Sequence, residues 1–363
     1  MKILLCERSL KGHRKTYMEW LVRIPGIEFF ILAPENIGLD ETHFIKYDFL
    51  DGIKTIKSYF AWINQIKNIV KNNEIDVVHI LDGDSIMRWF GFGLRFSGAK
   101  KTLITYHHFF PGIVRRISYW LMCSGKPKGC IAHTASVENS LKHCGIKEVF
   151  RCEYPAFSFE SIAAKHPKEC KIKYELPMDI PTIGIIGGMS KYKNIIPFLE
   201  MMQNCTQSFH ILICGQEREI TENTIKETVK PYADKVSMLI RQLNDEEYEE
   251  AIVASDIIFC IYGYDFDGAS GPLTDGVCAK KLILSCRHGS LGKLVSDNML
   301  GITAECDDKK DMIKQTELAL GRAKEFKYGV QANSYRESLK PNYFIERYRT
   351  IYYKSCKSKP LCG

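Results

Sequence analysis

Residues 255–289 combine residue types that suit a phosphate-binding site. Residues 257–262 are an apolar run without acid or base, which is typical of a strand buried on both faces of a parallel sheet. Pro272 then suits the first turn of a helix, where its missing N–H is not needed, and the free N–H groups of that turn attract a diphosphate. Between strand and helix lies a turn of small residues that lets backbone approach a ligand, namely Gly268, Ala269, Ser270 and Gly271.

Two acids flank this predicted helix start. Asp267 precedes the turn, and Asp275 falls in the first turns of the helix. Each carboxylate is able to accept hydrogen bonds from sugar or ribose hydroxyls. Read from residue types alone, the same two acids also suit an ordinary solvated helix N-terminus.

The pattern Asp267-x7-Asp275, with Gly268 after the first acid, resembles the E-x7-E signature of family-4-like retaining glycosyltransferases of the GT-B fold, as in bacterial polysaccharide synthesis. The family motif reads E-G-F-G-L-x-x-x-E. Here both acids are Asp, and Ala269 and Ser270 replace the aromatic residue and the second glycine. The resemblance implies that Asp275 holds the ribose and that Asp267 acts on the transferred sugar.

A second segment, IGIIGGMSKYKN, resembles the family's G-R-L-x-x-x-K-G segment. Gly187 and Lys193 stand at the glycine and lysine positions, and Gly188 replaces the arginine. The resemblance implies that Lys193 pairs with the donor diphosphate, as a leaving group with two phosphates requires if no metal is bound. Because the arginine is replaced, Lys191 is a further candidate to share that charge. No metal site and no cofactor besides the donor substrate is expected. A plain surface lysine is the alternative for Lys193.

Two further sites lie in the N-terminal half. Gly12, with His13 after it, resembles the glycine loop in which the domain meets donor and acceptor. The run from Thr105 to His107 resembles the T-x-H that places a histidine under the reacting sugar. His107 and His108 are both candidates for that catalytic role, because the doublet leaves the choice open, and a plain hydrogen-bonded histidine at a strand end is the alternative.

The elements that position these residues alternate between strand and helix. Apolar runs predict strands at residues 2–6, 28–33, 76–81, 102–106, 130–133, 149–154, 182–187, 210–214, 236–240, 257–262, 282–286 and 301–304. Helical spacing of apolar residues predicts helices near residues 17–24, 53–70, 113–121, 193–202, 245–254, 309–326 and 342–356.

The chain length and the break in this alternation predict two domains. We expect an acceptor domain at residues 1–165, a polar, proline-marked linker at 166–181 and a nucleotide-sugar donor domain at 182–340. By resemblance, the helix in residues 341–363 returns to the first domain. The predicted fold class is α/β of the GT-B type, with two Rossmann-like, doubly wound domains facing a cleft in which the reaction takes place.

The charge of the chain is uneven. Residues 1–165 hold 23 Lys and Arg against 16 Asp and Glu, whereas the rest holds 27 of each. Residues 85–137 contain eight basic residues, no acid and many aromatic residues, a pattern typical of a surface for membranes or polyanions. The apolar residues Ile113, Ile117, Trp120 and Leu121, beside Arg115 and Arg116, would lie on one helix face. That face either contacts an anionic membrane or packs on its own sheet, in which case the basic residues attract the anionic donor.

The predicted function is a hexosyltransferase that moves a sugar from a nucleotide-diphosphate sugar to a hydroxyl acceptor, either a sugar or a lipid-linked one. Two alternatives remain: a GT-B epimerase that acts on the nucleotide sugar itself, and a catalytically silent GT-B protein that binds nucleotide or a partner. A nucleic-acid partner is not expected, because no recognition motif for one is present. Without a signal peptide or a long apolar run, the chain is expected in the cytoplasm, at the inner face of the membrane.

Overall fold

The structure is a computed structural model that describes residues 1–10, 13–36, 38, 43–47, 55–89, 92, 97–109, 112–123, 128–266 and 268–357. The strands in these residues are β1 (Lys2–Cys6), β2 (Glu28–Ala33), β3 (His43–Lys46), β4 (Val77–Ile80), β5 (Lys101–Tyr106), β6 (Lys128–Ala132), β7 (Val149–Arg151), β8 (Thr182–Ile186), β9 (His210–Cys214), β10 (Val236–Leu239), β11 (Ile257–Cys260), β12 (Leu282–Cys286) and β13 (Gly301–Ala304).

The α-helices of the described residues are α1 (His13–Leu21), α2 (Ile56–Asn73), α3 (Gly83–Ile86), α4 (Ile113–Cys123), α5 (Ala135–His143), α6 (Phe159–Ala164), α7 (Pro167–Lys173), α8 (Ile195–Met202), α9 (Glu222–Val229), α10 (Asp245–Ala254), α11 (Gly271–Cys278), α12 (Gly289–Asp297), α13 (Lys309–Arg322), α14 (Val330–Ser338) and α15 (Pro341–Lys357). Among these helices none is long and apolar enough to cross a membrane.

The chain divides into two compact units. Unit 1 contains Met1–Tyr154 together with the chain from Pro341 onward, and unit 2 contains Pro155–Lys340. Unit 1 has a seven-stranded sheet in the order β3-β2-β1-β4-β5-β6-β7, and unit 2 has a six-stranded sheet in the order β10-β9-β8-β11-β12-β13. Every paired strand in both sheets is parallel. Two doubly wound α/β units were predicted, and both are confirmed.

The strand order determines where each unit can bind a ligand. In unit 1 the order reverses between β1 and β4, and in unit 2 it reverses between β8 and β11. Open parallel sheets bind ligands outside the carboxyl ends of the strands at such a reversal, because the helices on either side diverge there. A ligand site is therefore expected among the residues that follow β8 and β11 in unit 2. In unit 1 it is expected among the residues that follow β1 and β4.

The segment predicted as a linker, residues 166–181, contains α7 and belongs to unit 2. Pro167 occupies the first turn of this short helix, and two of its lysines pair with acids elsewhere in the unit. Lys171 Nζ lies 2.6 Å from Asp256 Oδ2, and Lys173 Nζ lies 2.7 Å from Glu250 Oε2. These partners are distant in the sequence, so the polar composition of the segment looked like that of a linker.

The C-terminal helix α15 belongs to unit 1. It buries Phe344, Tyr348, Ile351 and Tyr352. The Tyr352 hydroxyl lies 2.7 Å from Nδ1 of His79 on β4. His79 is fully buried, and the loss of hydration lowers the pKa of its imidazole to about 3. A neutral histidine hydrogen-bonded to a tyrosine therefore joins α15 to the centre of the sheet.

Candidate functional site

Two glycines shape the backbone at the carboxyl ends of β8 and β9. Gly187 has a φ of +96° and Gly215 a φ of +139°, conformations that side chains rarely adopt. A Cβ on Gly215 would lie only 2.2 Å from the carbonyl oxygen of Gly187. The backbone after β8 and the backbone after β9 therefore approach each other more closely than any residue type other than glycine would permit. We call this place, at the carboxyl ends of the two strands, the rim of the sheet.

Lys193 lies at this rim and is almost completely buried, with 6% of its surface exposed. It ends a one-turn 3-10 helix, Lys191–Lys193, and its Nζ donates a hydrogen bond to the Ile186 carbonyl at the end of β8, at 3.0 Å. Burial lowers the pKa of Lys193 to about 8. At neutral pH Lys193 is therefore a buried cation. An ammonium has three N–H donors, and within the described residues one of them is used, by the Ile186 carbonyl.

The start of α11 lies at the same place. Ser270 is the N-cap residue, and its Oγ accepts from the Leu273 N–H at 3.4 Å and lies 2.9 Å from the Tyr262 hydroxyl. A Cβ on Gly187 would lie 3.0 Å from Lys193 Nζ and 3.9 Å from Pro272 Cγ. Gly187 therefore brings the lysine cation and the positive end of the α11 dipole together, which is an arrangement for an anion.

The rest of the predicted turn is used partly for structure. The Ser270 hydroxyl caps α11 as an acceptor and lies against the Tyr262 hydroxyl, so its side chain is engaged within unit 2. The carbonyl oxygen of the buried Gly268 lies 3.5 Å from Ser290 Oγ on α12. Ala269 and Gly271 are exposed. Asp267 lies outside the described residues.

Asp275, one turn into α11, is held by a tyrosine. The Tyr248 hydroxyl on α10 donates to Asp275 Oδ2 at 2.9 Å. Burial raises the pKa of Asp275 to about 7, against the opposing effect of the Tyr248 hydrogen bond. Tyr248 lies in the first turns of α10, which begins with a reciprocal capping box between Asn244 and Glu247. The carboxylate is thus oriented but keeps acceptor capacity on its second oxygen.

A polar cavity of about 420 Å³ opens beside the Lys191–Lys193 turn. It is lined by Lys191, Tyr192, Asn194, Glu219, Gly263 and Asp265. Tyr192 stacks on Phe266, with ring centroids 5.1 Å apart, which fixes one wall. The cavity is large enough for a sugar ring and offers both charges for its hydroxyls.

In unit 1 the structure defines the tautomer of His107. His107 Nε2 lies 3.0 Å from the Leu81 carbonyl, which can only accept, so Nε2 carries the proton. Burial lowers the pKa of His107 to about 4, so the ring is neutral and Nδ1 is left as an acceptor. Asp84 Oδ2 accepts from the backbone N–H groups of His107 and His108, at 3.1 and 3.2 Å. Gly12, the third predicted site residue of this unit, lies outside the described residues.

A cluster of charges that was not predicted follows β1 and β4. Arg14 Nη1 donates to Glu7 Oε1 at 3.0 Å and also to Asp82. Burial raises the pKa of Glu7 to about 7. Burial, reinforced by the Asp82 charge, also raises the pKa of Asp84 to about 7, and within the described residues its buried Oδ1 has no hydrogen-bond partner. Carboxyls that ionise near neutral pH are common where acid–base chemistry occurs.

These acids had a sequence signal that was overlooked. Glu7 directly follows β1, and Asp82 and Asp84 lie at the start of α3 soon after β4, so the reversal of strand order brings them together. Tyr248, in contrast, is an unremarkable helix residue in the sequence. Only its contact with Asp275 makes it part of a site.

The basic segment of unit 1 is partly neutralised. Lys100 Nζ lies 2.6 Å from Asp76, and the buried Lys101 pairs with Glu148. Arg115 and Arg116 on α4 are exposed. The acids that pair with the two lysines lie outside residues 85–137, so a count within the segment overstated its charge.

The apolar face of α4 is exposed to solvent. Ile113 is 78% exposed, Ile117 49% and Trp120 51%, whereas the buried residues of the helix are Ser118, Tyr119 and Met122. Leu121 is half-buried. The prediction that this apolar face packs on the sheet of unit 1 is therefore wrong.

Comparison with known proteins identifies the fold. No protein-family model matches the sequence, and no curated protein does either. Solved structures match over nearly the whole chain. A glycosyltransferase from Rickettsia africae has a TM-score of 0.78 at 18% identity, covering 99% of each chain. Sucrose-phosphate synthase from Thermosynechococcus elongatus has a TM-score of 0.73 at 13% identity, covering 98% of each.

A third structure, Anabaena HepE in complex with UDP and glucose, has a TM-score of 0.68 at 10% identity, covering 98% of this chain and all of HepE. At such identities the likeness concerns the fold. Together with the two parallel-sheet units, it confirms the predicted GT-B fold.

Proposed function

We propose that the protein is a glycosyltransferase that transfers a sugar from a nucleotide-diphosphate sugar to a hydroxyl acceptor. The observation that carries the proposal is the meeting of the buried Lys193 ammonium and the α11 N-terminus at Gly187. A doubly charged leaving group needs such a place, because negative charge develops on it as the sugar departs. Structural neighbours with the same fold are glycosyltransferases, and HepE binds UDP and glucose, which supports a nucleotide-sugar donor.

The proposed reaction is of the retaining, family-4-like type. The bond between the anomeric carbon and the diphosphate oxygen breaks, and its electron pair leaves with the diphosphate. The acceptor oxygen then bonds to the anomeric carbon, and its proton passes to the departing phosphate. In this scheme Lys193 and α11 stabilise the diphosphate, so the site works without a metal ion. Full turnover in EDTA would support that part of the proposal.

The remaining predicted residues keep their proposed roles. Asp275 accepts from the ribose, and Asp267 contacts the transferred sugar. His107 accepts a hydrogen bond from a sugar hydroxyl at Nδ1, because Nε2 already donates to the Leu81 carbonyl. An epimerase is the less favoured alternative. It needs acid–base residues that flank a sugar carbon, and Glu7 and Asp84 are the carboxyls of unit 1 whose pKa suits that role.

Turnover by the purified protein tests the proposal. Release of the nucleoside diphosphate from UDP-, GDP- or TDP-hexose, slow with water and faster with an acceptor, is expected of a transferase. Binding of nucleotide without any release would indicate a catalytically silent protein. Conversion of the nucleotide sugar without release of nucleotide would indicate an epimerase.

Asp275→Asn should weaken donor binding about 10-fold, because an amide has one acceptor oxygen where the carboxylate has two. The wild-type affinity should also fall as pH drops through 7, since the raised pKa of Asp275 means that its carboxylate is lost below that value. Calorimetry with UDP-hexose from pH 5.5 to 7.5 checks both. Equal affinities for the two proteins over this range would contradict the ribose role.

We also propose that unit 1 binds an anionic membrane surface and that the acceptor is lipid-linked, as in cell-surface polysaccharide or glycolipid synthesis. The support is the exposed apolar face of α4 beside two exposed arginines. Such a helix can lie in the interfacial plane with its apolar side in the acyl boundary. Each arginine near an anionic leaflet contributes about 1 kcal/mol.

Flotation with phosphatidylcholine vesicles that contain increasing phosphatidylserine tests this proposal. Binding should rise with anionic lipid and fall with salt. The double variant Ile117→Ser, Trp120→Ser should abolish most of it. Val330→Ser, a change at an 88% exposed apolar residue of unit 2, is the matched control and should bind like the wild type. Background flotation of the wild type at low salt would direct the search to soluble acceptors.

A further inference from the structure

Arg218, which follows β9, lies directly against the backbone of Gly188. A Cβ on Gly188 would lie 2.5 Å from Nε, 3.0 Å from Cδ and 3.2 Å from Cζ of this arginine. The guanidinium therefore occupies the space that any side chain at position 188 would need. The absence of a side chain at Gly188 is what allows Arg218 to lie there.

The backbone holds this segment in place. Met189 and Glu217 form a parallel bridge, the Met189 N–H donates to the Gln216 carbonyl at 2.9 Å, and the Ile220 N–H donates to the Met189 carbonyl at 3.0 Å. These bonds lie on both sides of Arg218, so its Cα position relative to Gly188 is set by main chain. Only its side chain is free to adjust to a ligand.

Arg218 also lies close to Lys193. Burial is the main cause of the lowered pKa of Lys193, and the positive charge of Arg218 lowers it further by a smaller amount. Within the described residues neither cation forms a salt bridge with a carboxylate. The nearby Glu219 carboxylate is exposed and accepts from the Ser190 hydroxyl and the Lys191 backbone N–H, and it interacts with the Arg218 charge without forming a salt bridge. Two neighbouring cations without a bridging acid repel each other, and an anion between them removes that cost.

We propose that Arg218 is the second cation of the diphosphate site and binds the donor together with Lys193. The inference rests on the proposed function and adds a residue that lies outside the sequence motif, 25 positions after Lys193. A guanidinium presents a planar fork that binds two phosphate oxygens at once, whereas Lys193 acts as a point charge. The exposed fork reaches the ligand from the solvent side, and the buried ammonium from the sheet side.

Calorimetry with inorganic pyrophosphate, UDP and uridine tests this role. Arg218→Ala should weaken the binding of pyrophosphate and of UDP roughly 10-fold, and it should leave the affinity for uridine, which has no phosphate, unchanged. The pyrophosphate affinity of Arg218→Lys should lie between those of the wild type and Arg218→Ala, because lysine keeps the charge and lacks the planar fork of the guanidinium. Arg322→Ala removes an exposed arginine from the end of α13 and should bind all three probes like the wild type.

A transfer of the arginine provides a stricter test. In the double variant Arg218→Ala, Gly188→Arg, the new side chain enters the space that Arg218 has left, and affinity for pyrophosphate should recover most of the loss. Since Arg218 is exposed, the thermal midpoint should not move in any of these variants.

The outcomes separate this inference from the proposed function. If Arg218→Ala binds pyrophosphate and UDP like the wild type while Lys193→Ala does not, the role of Arg218 is wrong and the donor site stands. An equal loss of uridine affinity would also overturn it, since the contact would then be with the nucleoside. If the wild type binds neither pyrophosphate nor any of UDP, GDP, TDP and ADP, the proposed function falls, and the inference falls with it.

Discussion

Replacing Lys193 with alanine should lower turnover of the nucleotide sugar by roughly 30- to 700-fold, the equivalent of about 2 to 4 kcal/mol of transition-state stabilisation. The effect is large because the ammonium is 94% buried, where little water screens its charge. The loss should appear mainly in kcat, because charge on the diphosphate grows as the bond to the sugar breaks. Steady-state kinetics with UDP-hexose, or with whichever donor the screen selects, measures it.

The same residue predicts a pH dependence. The pKa of Lys193 is lowered to about 8, so the cation is present below pH 8 and is lost as pH rises through that value. Loss of the cation should therefore lower donor affinity as pH rises through 8, by up to 10-fold per pH unit above that value, separately from the loss of affinity below pH 7 that Asp275 predicts. The diphosphate of a nucleotide sugar has no group that titrates in this range. Lys193→Ala should show no such decline.

Lys226→Ala is a suitable control, since Lys226 is an exposed lysine of the same unit that pairs with Glu222 on α9. Its turnover should match that of the wild type. Thermal midpoints within a few degrees would show that Lys193→Ala is folded. Near wild-type turnover of a folded Lys193→Ala protein would contradict the proposed leaving-group role.

Phe344→Ala should destabilise the protein by about 3 to 5 kcal/mol. Phe344 on α15 is fully buried, with its ring 5.1 Å from that of Tyr17 and 4.7 Å from that of Tyr348. Removing the ring leaves a cavity between α15 and α1, which neighbouring aromatic rings are too rigid to fill. Because α15 is part of the core of unit 1, the effect should fall on that unit.

Denaturant unfolding monitored by hydrogen exchange separates the two units. Protection should fall for β1, β4 and α1, and should be unchanged for β8 and β11 in unit 2. Tyr343→Ala alters the preceding residue, which is 50% exposed, and should cost no more than about 0.5 kcal/mol. If both variants are equally stable, the buried position of α15 in unit 1 is wrong.

Local sequence was sufficient for most elements, because most strands of the two sheets contain a contiguous apolar run. Glu28–Ala33, His210–Cys214, Leu282–Cys286 and Gly301–Ala304 were predicted with the bounds that the structure has. Short elements were not predicted, such as the four-residue edge strand β3 and the helices α5, α9 and α12. An alternating apolar pattern cannot be recognised in the four residues of β3, and an edge strand need not be continuously apolar.

The candidate site was only partly accessible from the sequence. Lys193 and Asp275 were selected through motif spacing, and their roles remain predictions. Spacing did not indicate that Lys193 would be buried or that Tyr248 would hold Asp275, because both facts depend on contacts between separate elements. Asp267 and Gly12 lie outside the described residues.

The sequence by itself determined the α/β class, the two series of strands and the start of α11, because apolar runs, capping residues and prolines act within a few positions of the chain. Tertiary structure alone decided three things: the reversal of strand order that joins the ends of β8 and β11, the position of Arg218 against Gly188, and the exposure of the apolar face of α4. Each is a contact, or a missing contact, between segments far apart in the chain. Local preference carries no information about such contacts, since the same residues can bury or expose a face according to what packs against them.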